Sequence, residues 1–152
     1  MPGLLRTATV ALSVLALLTG LPPAAAAVQQ RARLDVPLRP GLVITSSLRI
    51  RPGTYLLPAP VSPDSAVIVI RGDNITVDFQ GAVLEGTAQD TPPDQAAGVA
   101  IRIDGGANVR LEHATVRGYK VGILARGTTG LALSGNDVSH NWKPRLFSLA
   151  EH

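Results

Sequence analysis

Cysteine is absent from the 152-residue chain, so it has neither disulfides nor thiol chemistry, and its stability must come from burial and strand pairing. Aromatic residues make up 3% of it, one Trp, two Tyr and two Phe, which leaves few rings for a core or for stacking on a ligand. Charge is sparse at 16% and nearly balanced, with a net +3, and it forms none of the basic runs that mark a nucleic-acid surface. Long apolar stretches are missing too. The longest, Ala8 to Leu18, has 11 residues, against the roughly 20 that a bilayer-spanning helix needs. No Gly-rich phosphate loop, Gly-x-Ser-x-Gly elbow or His-Glu-x-x-His helix is present, so nucleotide and serine-hydrolase chemistry lack support. The three histidines, His113, His140 and His152, are too widely spaced for a compact metal motif.

The short apolar run follows Arg6 and precedes Pro22-Pro23-Ala24-Ala25-Ala26-Ala27. It reads as a secretory leader over residues 1–27, which would make the mature chain an exported, periplasmic or extracellular protein without a membrane span. Residues 28–44 carry Pro37, Pro40 and Gly41 and read as an irregular N-terminal cap in which Leu34, Val36, Leu38, Leu42, Val43 and Ile44 cover a first coil.

What the chain does have is a repeat. Val99, Ile101, Ile103, Val109, Leu111, Ala114 and Val116 map, 22 positions on, to Val121, Ile123, Ala125, Leu131, Leu133, Asn136 and Val138. Each unit alternates apolar and polar residues around a Gly-rich turn, which predicts short strands. Units of about 20 to 30 residues with no room for a helix bury a core only by stacking, as in a solenoid. An earlier unit runs through Val67 to Ile70, Ile75 to Phe79 and Gly81 to Glu85. It lies 34 residues before the next, and the 12 extra residues are assigned to a loop at 87–98, where Pro, Asp, Gln and Ala predominate. Such a loop either walls a cleft or is a solvated spacer. The coils therefore span 45–141 and an irregular tail spans 142–152. About three to four coils without a C-terminal cap are expected, as in the start of a longer solenoid, with edge-to-edge self-association favoured by the open end.

The run from Asn74 through Asp78, Gly81 and Glu85 to Gly86, with Pro52-Gly53-Thr54-Tyr55 before it, resembles the early coils of the pectin-lyase-like superfamily. The resemblance implies an all-β, right-handed parallel β-helix. It also implies kinship with polysaccharide lyases and hydrolases, or with non-catalytic surface and periplasmic scaffolds of the same fold, since fold alone does not choose among them.

Stacking the units sets Ile75, Val109 and Leu131 in one inward column and Val77, Leu111 and Leu133 in another. Asp78, Glu112 and Ser134 form an outward column, so Asp78 and Glu112 stand about 4.8 Å apart on adjacent strands. Like charges so placed need compensation. The pair could hold a hard cation such as Ca²⁺, as lyases of this superfamily do; it could act as two glycosidase carboxylates; or Arg110 could neutralise it as a surface ion network. Lys120 and Arg117 are the candidates for a lyase base, with an exposed corner as the competing reading. Trp142, Tyr119 and Phe147 are the candidate sugar platform, with cover of the open solenoid end as the competing reading for Trp142 and Phe147. His113 aligns with Phe79 and is expected at a half-buried strand end. Asn74, also in a formal glycosylation sequon, and Asn136 are expected in turns.

Overall fold

The computed structural model describes residues 35–60, 62 and 65–144. The expected leader, Leu34 of the cap, and Phe147 and His152 lie outside them. No helix among the described residues is long and apolar enough to cross a membrane.

Pro, Gly and Asn interrupt the chain every few residues, so no strand exceeds eight residues. The strands are β1 (Leu42–Ile44), β2 (Leu48–Arg49), β3 (Thr54–Leu56), β4 (Ala66–Ile70), β5 (Thr76–Asp78), β6 (Val83–Glu85), β7 (Ala97–Asp104), β8 (Arg110–Glu112), β9 (Thr115–Arg117), β10 (Tyr119–Arg126) and β11 (Ala132–Ser134). They are dealt in rotation to three parallel sheets, ordered β1-β4-β7-β10, β2-β5-β8-β11 and β3-β6-β9. Each strand pairs with its counterpart one turn away, an arrangement of stacked parallel strands consistent with a β-solenoid.

The core runs down the middle of the three sheets. Ile44, Ile68, Ile70, Ile101 and Ile103 from the first sheet meet Val77 and Leu111 from the second and Leu84 and Val116 from the third, all nearly inaccessible. Each such side chain contributes about 1.5–3 kcal/mol by leaving water. β4 departs from strict alternation and is buried throughout. Val67 and Ile68 both enter the main core, while Ala66 and Val69 join Val99 in a second cluster, against which Val121 and Leu124 pack.

The two ends differ. At the first, Leu38 is buried and Val36 bridges Ile50 and packs on the core. At the other, Leu133 is 51% exposed and Val138 49%. Leu133 keeps the register expected of it, opposite Leu111, but no strand lies beyond it among the described residues, so it faces an open recess.

The corners between strands are held by left-handed residues and amide side chains. Asn74 and Asn108 both have φ of 56°, and the Asn108 amide donates to Asn74 Oδ1 at 3.0 Å. One turn on, the same place is Gly130, where a Cβ would lie 2.8 Å from Asn108 Oδ1. Asn136 Oδ1 accepts from the Ala114 N–H and its amide donates to the Leu111 carbonyl, both at 2.9 Å. Asn141 does the same for Tyr119 and Val116. These amides satisfy backbone groups that the ladders leave unpaired at the corners.

The extra residues of the second unit are divided differently from the sequence expectation. Val77 pairs with Leu111, 34 positions on, but Val83 pairs with Thr115, 32 positions on. Two of the twelve extra residues therefore sit in the corner after Phe79, where Gln80 and Gly81 take positive φ. The remainder form the loop, which carries a single 3₁₀ turn at Pro93–Gln95 and ends where β7 begins at Ala97.

Candidate functional site

Asp78 and Glu112 are register neighbours on β5 and β8, in the outward column where the alternation sets them. Each already has its own partner. Asp78 Oδ1 lies 3.0 Å from His113 Nδ1 and accepts from the Gln80 N–H at 2.9 Å. Glu112 Oε1 lies 3.8 Å from an Arg110 Nη. Burial pushes the Asp78 carboxyl up, but the hydrogen bonds from His113 and Gln80 and the charges of His113 and Arg49 outweigh it, leaving the group below its ordinary range. Calcium takes roughly six to eight oxygens. Two carboxylates engaged in this way do not fit it, and no group of three His, Asp or Glu side chains gathers as a metal site among the described residues.

His113 corrects the expectation of a half-buried strand end. It is exposed, at φ 54°, because the two-residue difference between corners removes it from the Phe79 position. Its ring lies over Gly135, where a Cβ would come 2.8 Å from Cδ2. Phe79 itself is fully buried.

Tyr119 also corrects an expectation. It is fully buried, and its hydroxyl donates to the Leu57 carbonyl at 2.7 Å, so it offers no face to a sugar. Burial first, and the negative charge of Glu85 second, push its phenol far above the ordinary range. The ring packs on Gly86, a position where any side chain would collide with it.

The loop after β6 does wall a cleft, but the acidic pair is not part of its lining. This cleft, of about 390 Å³, is lined by Thr87, Gln89, Thr91 and Pro93 on the loop and by Arg117, His140 and Lys143 facing them. Arg117, at the end of β9, is the register partner of Glu85 on β6. Its Nε donates to Glu85 Oε1 at 2.9 Å and an Nη adds a second bond to the same oxygen. The Arg117 hydrogen bond is the main reason the Glu85 carboxyl lies below its usual range. The register pair Glu85–Arg117 follows from an offset of 32 residues between β6 and β9, which a uniform shift of 34 does not give.

Trp142 stands beside the cleft, 40% exposed. Its indole N–H donates to the Asp94 carbonyl of the loop at 3.2 Å, and its backbone N–H donates to the Tyr119 carbonyl at 2.8 Å. The Lys120 ammonium sits 5.9 Å from the ring centroid, within cation–π range. The sequence candidates thus separate into two places. Arg117, Lys120 and Trp142 converge around the loop, whereas Asp78 and Glu112 lie on the β2-β5-β8-β11 sheet. The chain matches no protein-family model, no curated protein and no solved structure.

Proposed function

We propose that this is an exported scaffold of the pectin-lyase-like, right-handed β-helix type that binds an acidic polysaccharide in the loop-walled cleft without cleaving it. One observation carries the reading. The cleft gathers Lys143 and His140, with Arg117 ion-paired to Glu85 in its wall, among hydroxyls and two amides, with the partly exposed Trp142 adjoining. Cations and hydroxyl-bonding groups suit a uronate carboxylate and its ring hydroxyls, and an indole face suits the apolar side of a sugar.

Binding is favoured over catalysis because the candidate bases are occupied. Arg117 is held by Glu85, and Lys120 rests over the Trp142 ring. The two carboxylates that a hydrolase or a metal-assisted lyase would use are elsewhere and have their own partners. Export rests on the leader read in residues 1–27.

Calorimetric titration with oligogalacturonate or alginate oligomers, against a neutral glucan, tests the proposal. Binding should be confined to the acidic oligomers, weaken with salt, and fall about tenfold in W142A, as truncation of an aromatic anchor does. Equal binding of the neutral glucan would refute it. Release of unsaturated uronate ends, followed by ultraviolet absorbance, would overturn the non-catalytic part.

A further inference from the structure

One corner of the loop-walled cleft changes its character from turn to turn. Gly86 and Gly118 follow the register pair Glu85–Arg117, and His140 stands 22 positions beyond Gly118, its carbonyl accepting from the Gly118 N–H at 3.0 Å. The two earlier turns have no room for a side chain here. A Cβ on Gly86 would lie 2.5 Å from the Gly118 carbonyl oxygen, and one on Gly118 would lie 2.6 Å from Thr87 Oγ1. The third turn sets an imidazole in the same column, on a backbone at φ 56°, where glycine and asparagine are the commoner residues. His140 is exposed and lines the cleft with Arg117 and Lys143.

Guanidinium, ammonium and carboxylate groups ordinarily keep their charge between about pH 5 and 8, whereas imidazole ordinarily gains a proton within that range. The groups around His140 are of the first kind. They are Arg117 from β9 with its partner Glu85 from β6, Lys143 and Asp137 from its own segment, and Lys120 from β10 over the Trp142 ring. The loop adds Asp90 and Asp94, which are not part of the lining. Asp137 Oδ1 accepts from the Ser139 N–H at 2.8 Å. The Ser139 hydrogen bonds, and after them the charges of His140 and Arg117, hold its carboxyl below the ordinary range. We propose that His140 makes the cleft acid-responsive: on protonation it places a second cation beside Lys143, so an acidic oligosaccharide is held more tightly at mildly acidic than at neutral pH. This regulation rests on the cleft binding uronates. An anion bound beside an imidazole favours its charged form, so binding takes up protons and tightens as pH falls, until the uronate itself begins to protonate.

Calorimetric titration with oligogalacturonate at about pH 8 and about pH 5.5, at constant ionic strength, reads the effect. The wild-type affinity should rise about fivefold on acidification, the scale of one exposed charge pair, and runs in buffers of different ionisation enthalpy should show proton uptake between these limits. H140N suits the backbone, since Asn74 and Asn108 adopt the same φ of 56°, and its affinity should be flat across the range. H140K, with a permanent charge, should bind tightly at both pH values and take up no protons. Thermal melts check that both variants are folded, and either one alone carries the test. Equal wild-type affinity at the two pH values, or a rise that persists in H140N, would overturn the role of His140 while leaving uronate binding in place. Absence of binding at both pH values would overturn the two together.

Discussion

The Tyr119 hydroxyl offers the sharpest test of how the turns are tied together. Its bond to the Leu57 carbonyl spans 62 residues of sequence, is 2.7 Å long and lies in the buried interior. It joins the strand β10 to the segment just after β3. Replacing Tyr119 by Phe keeps the ring, its packing on Gly86 and the backbone, and removes only the donor. A hydrogen bond of this kind is worth about 1 kcal/mol net, and leaving a buried carbonyl without its donor adds about another 1 kcal/mol. The expected loss is therefore about 2 kcal/mol, read as a lower denaturant midpoint with an unchanged slope. For a domain of this size it corresponds to a drop of about 8 °C in melting temperature. A change below about 0.5 kcal/mol, the usual range for surface substitutions, would refute the reasoning, because it would mean that the carbonyl finds water and the site is not closed. A second reading of the same environment is independent of mutation: in alkaline spectrophotometric titration the Tyr119 phenol should stay protonated well beyond the ordinary tyrosine range.

Gly86→Ala should cost about 1–3 kcal/mol through overpacking, since the added carbon would lie 2.5 Å from the Gly118 carbonyl oxygen and 2.7 Å from Tyr119 Cδ1; a melt equal to wild type would show that both the backbone and the ring have room to move. Asp78 has its folded pKa below the unfolded value, so its contribution is complete above the unfolded carboxylate range and is lost as pH falls through the folded pKa. D78N should therefore narrow the stability gap between neutral and acidic pH, measured by denaturant titration at each, and an unchanged gap would refute the assignment. Removing the indole in W142A frees the Asp94 carbonyl, and limited proteolysis should then cut within residues 87–96 several times faster; unchanged cleavage would mean that the loop does not depend on this tie.

Much of the strand pattern was legible in the sequence because burial imposes a period. Inward positions must be apolar whatever the turn, so the columns of Ile75 with Val109 and of Val77 with Leu111 follow from alternation and a shift. The Asp78–Glu112 neighbourhood was legible for the same reason, being one residue beyond a column already aligned. Outward positions carry no such constraint. Lys120, Arg117 and Trp142 could be named as candidates by residue type, but alternation does not say which meet, and only the return of the chain after Val138 carries Trp142 back to Lys120 and to the loop at Asp94.

The displacement of His113 and the pairing of Glu85 have one cause. A single shift of 34 between the second and third units sets Phe79 against His113 and Glu85 against Tyr119. The structure keeps 34 up to Asp78 and changes to 32 by Val83, because the corner at Gln80 and Gly81 absorbs two residues. Below the corner everything moves by two, which preserves the inward and outward parity and so leaves the apolar pattern looking correct. The change in partner is nevertheless complete: Glu85 meets Arg117, which becomes part of the cleft wall. In a chain of this kind strand composition determines which residues are buried, while the length of each corner determines which exposed groups become neighbours. A two-residue corner insertion is therefore silent for the hydrophobic pattern and decisive for the chemistry of the surface.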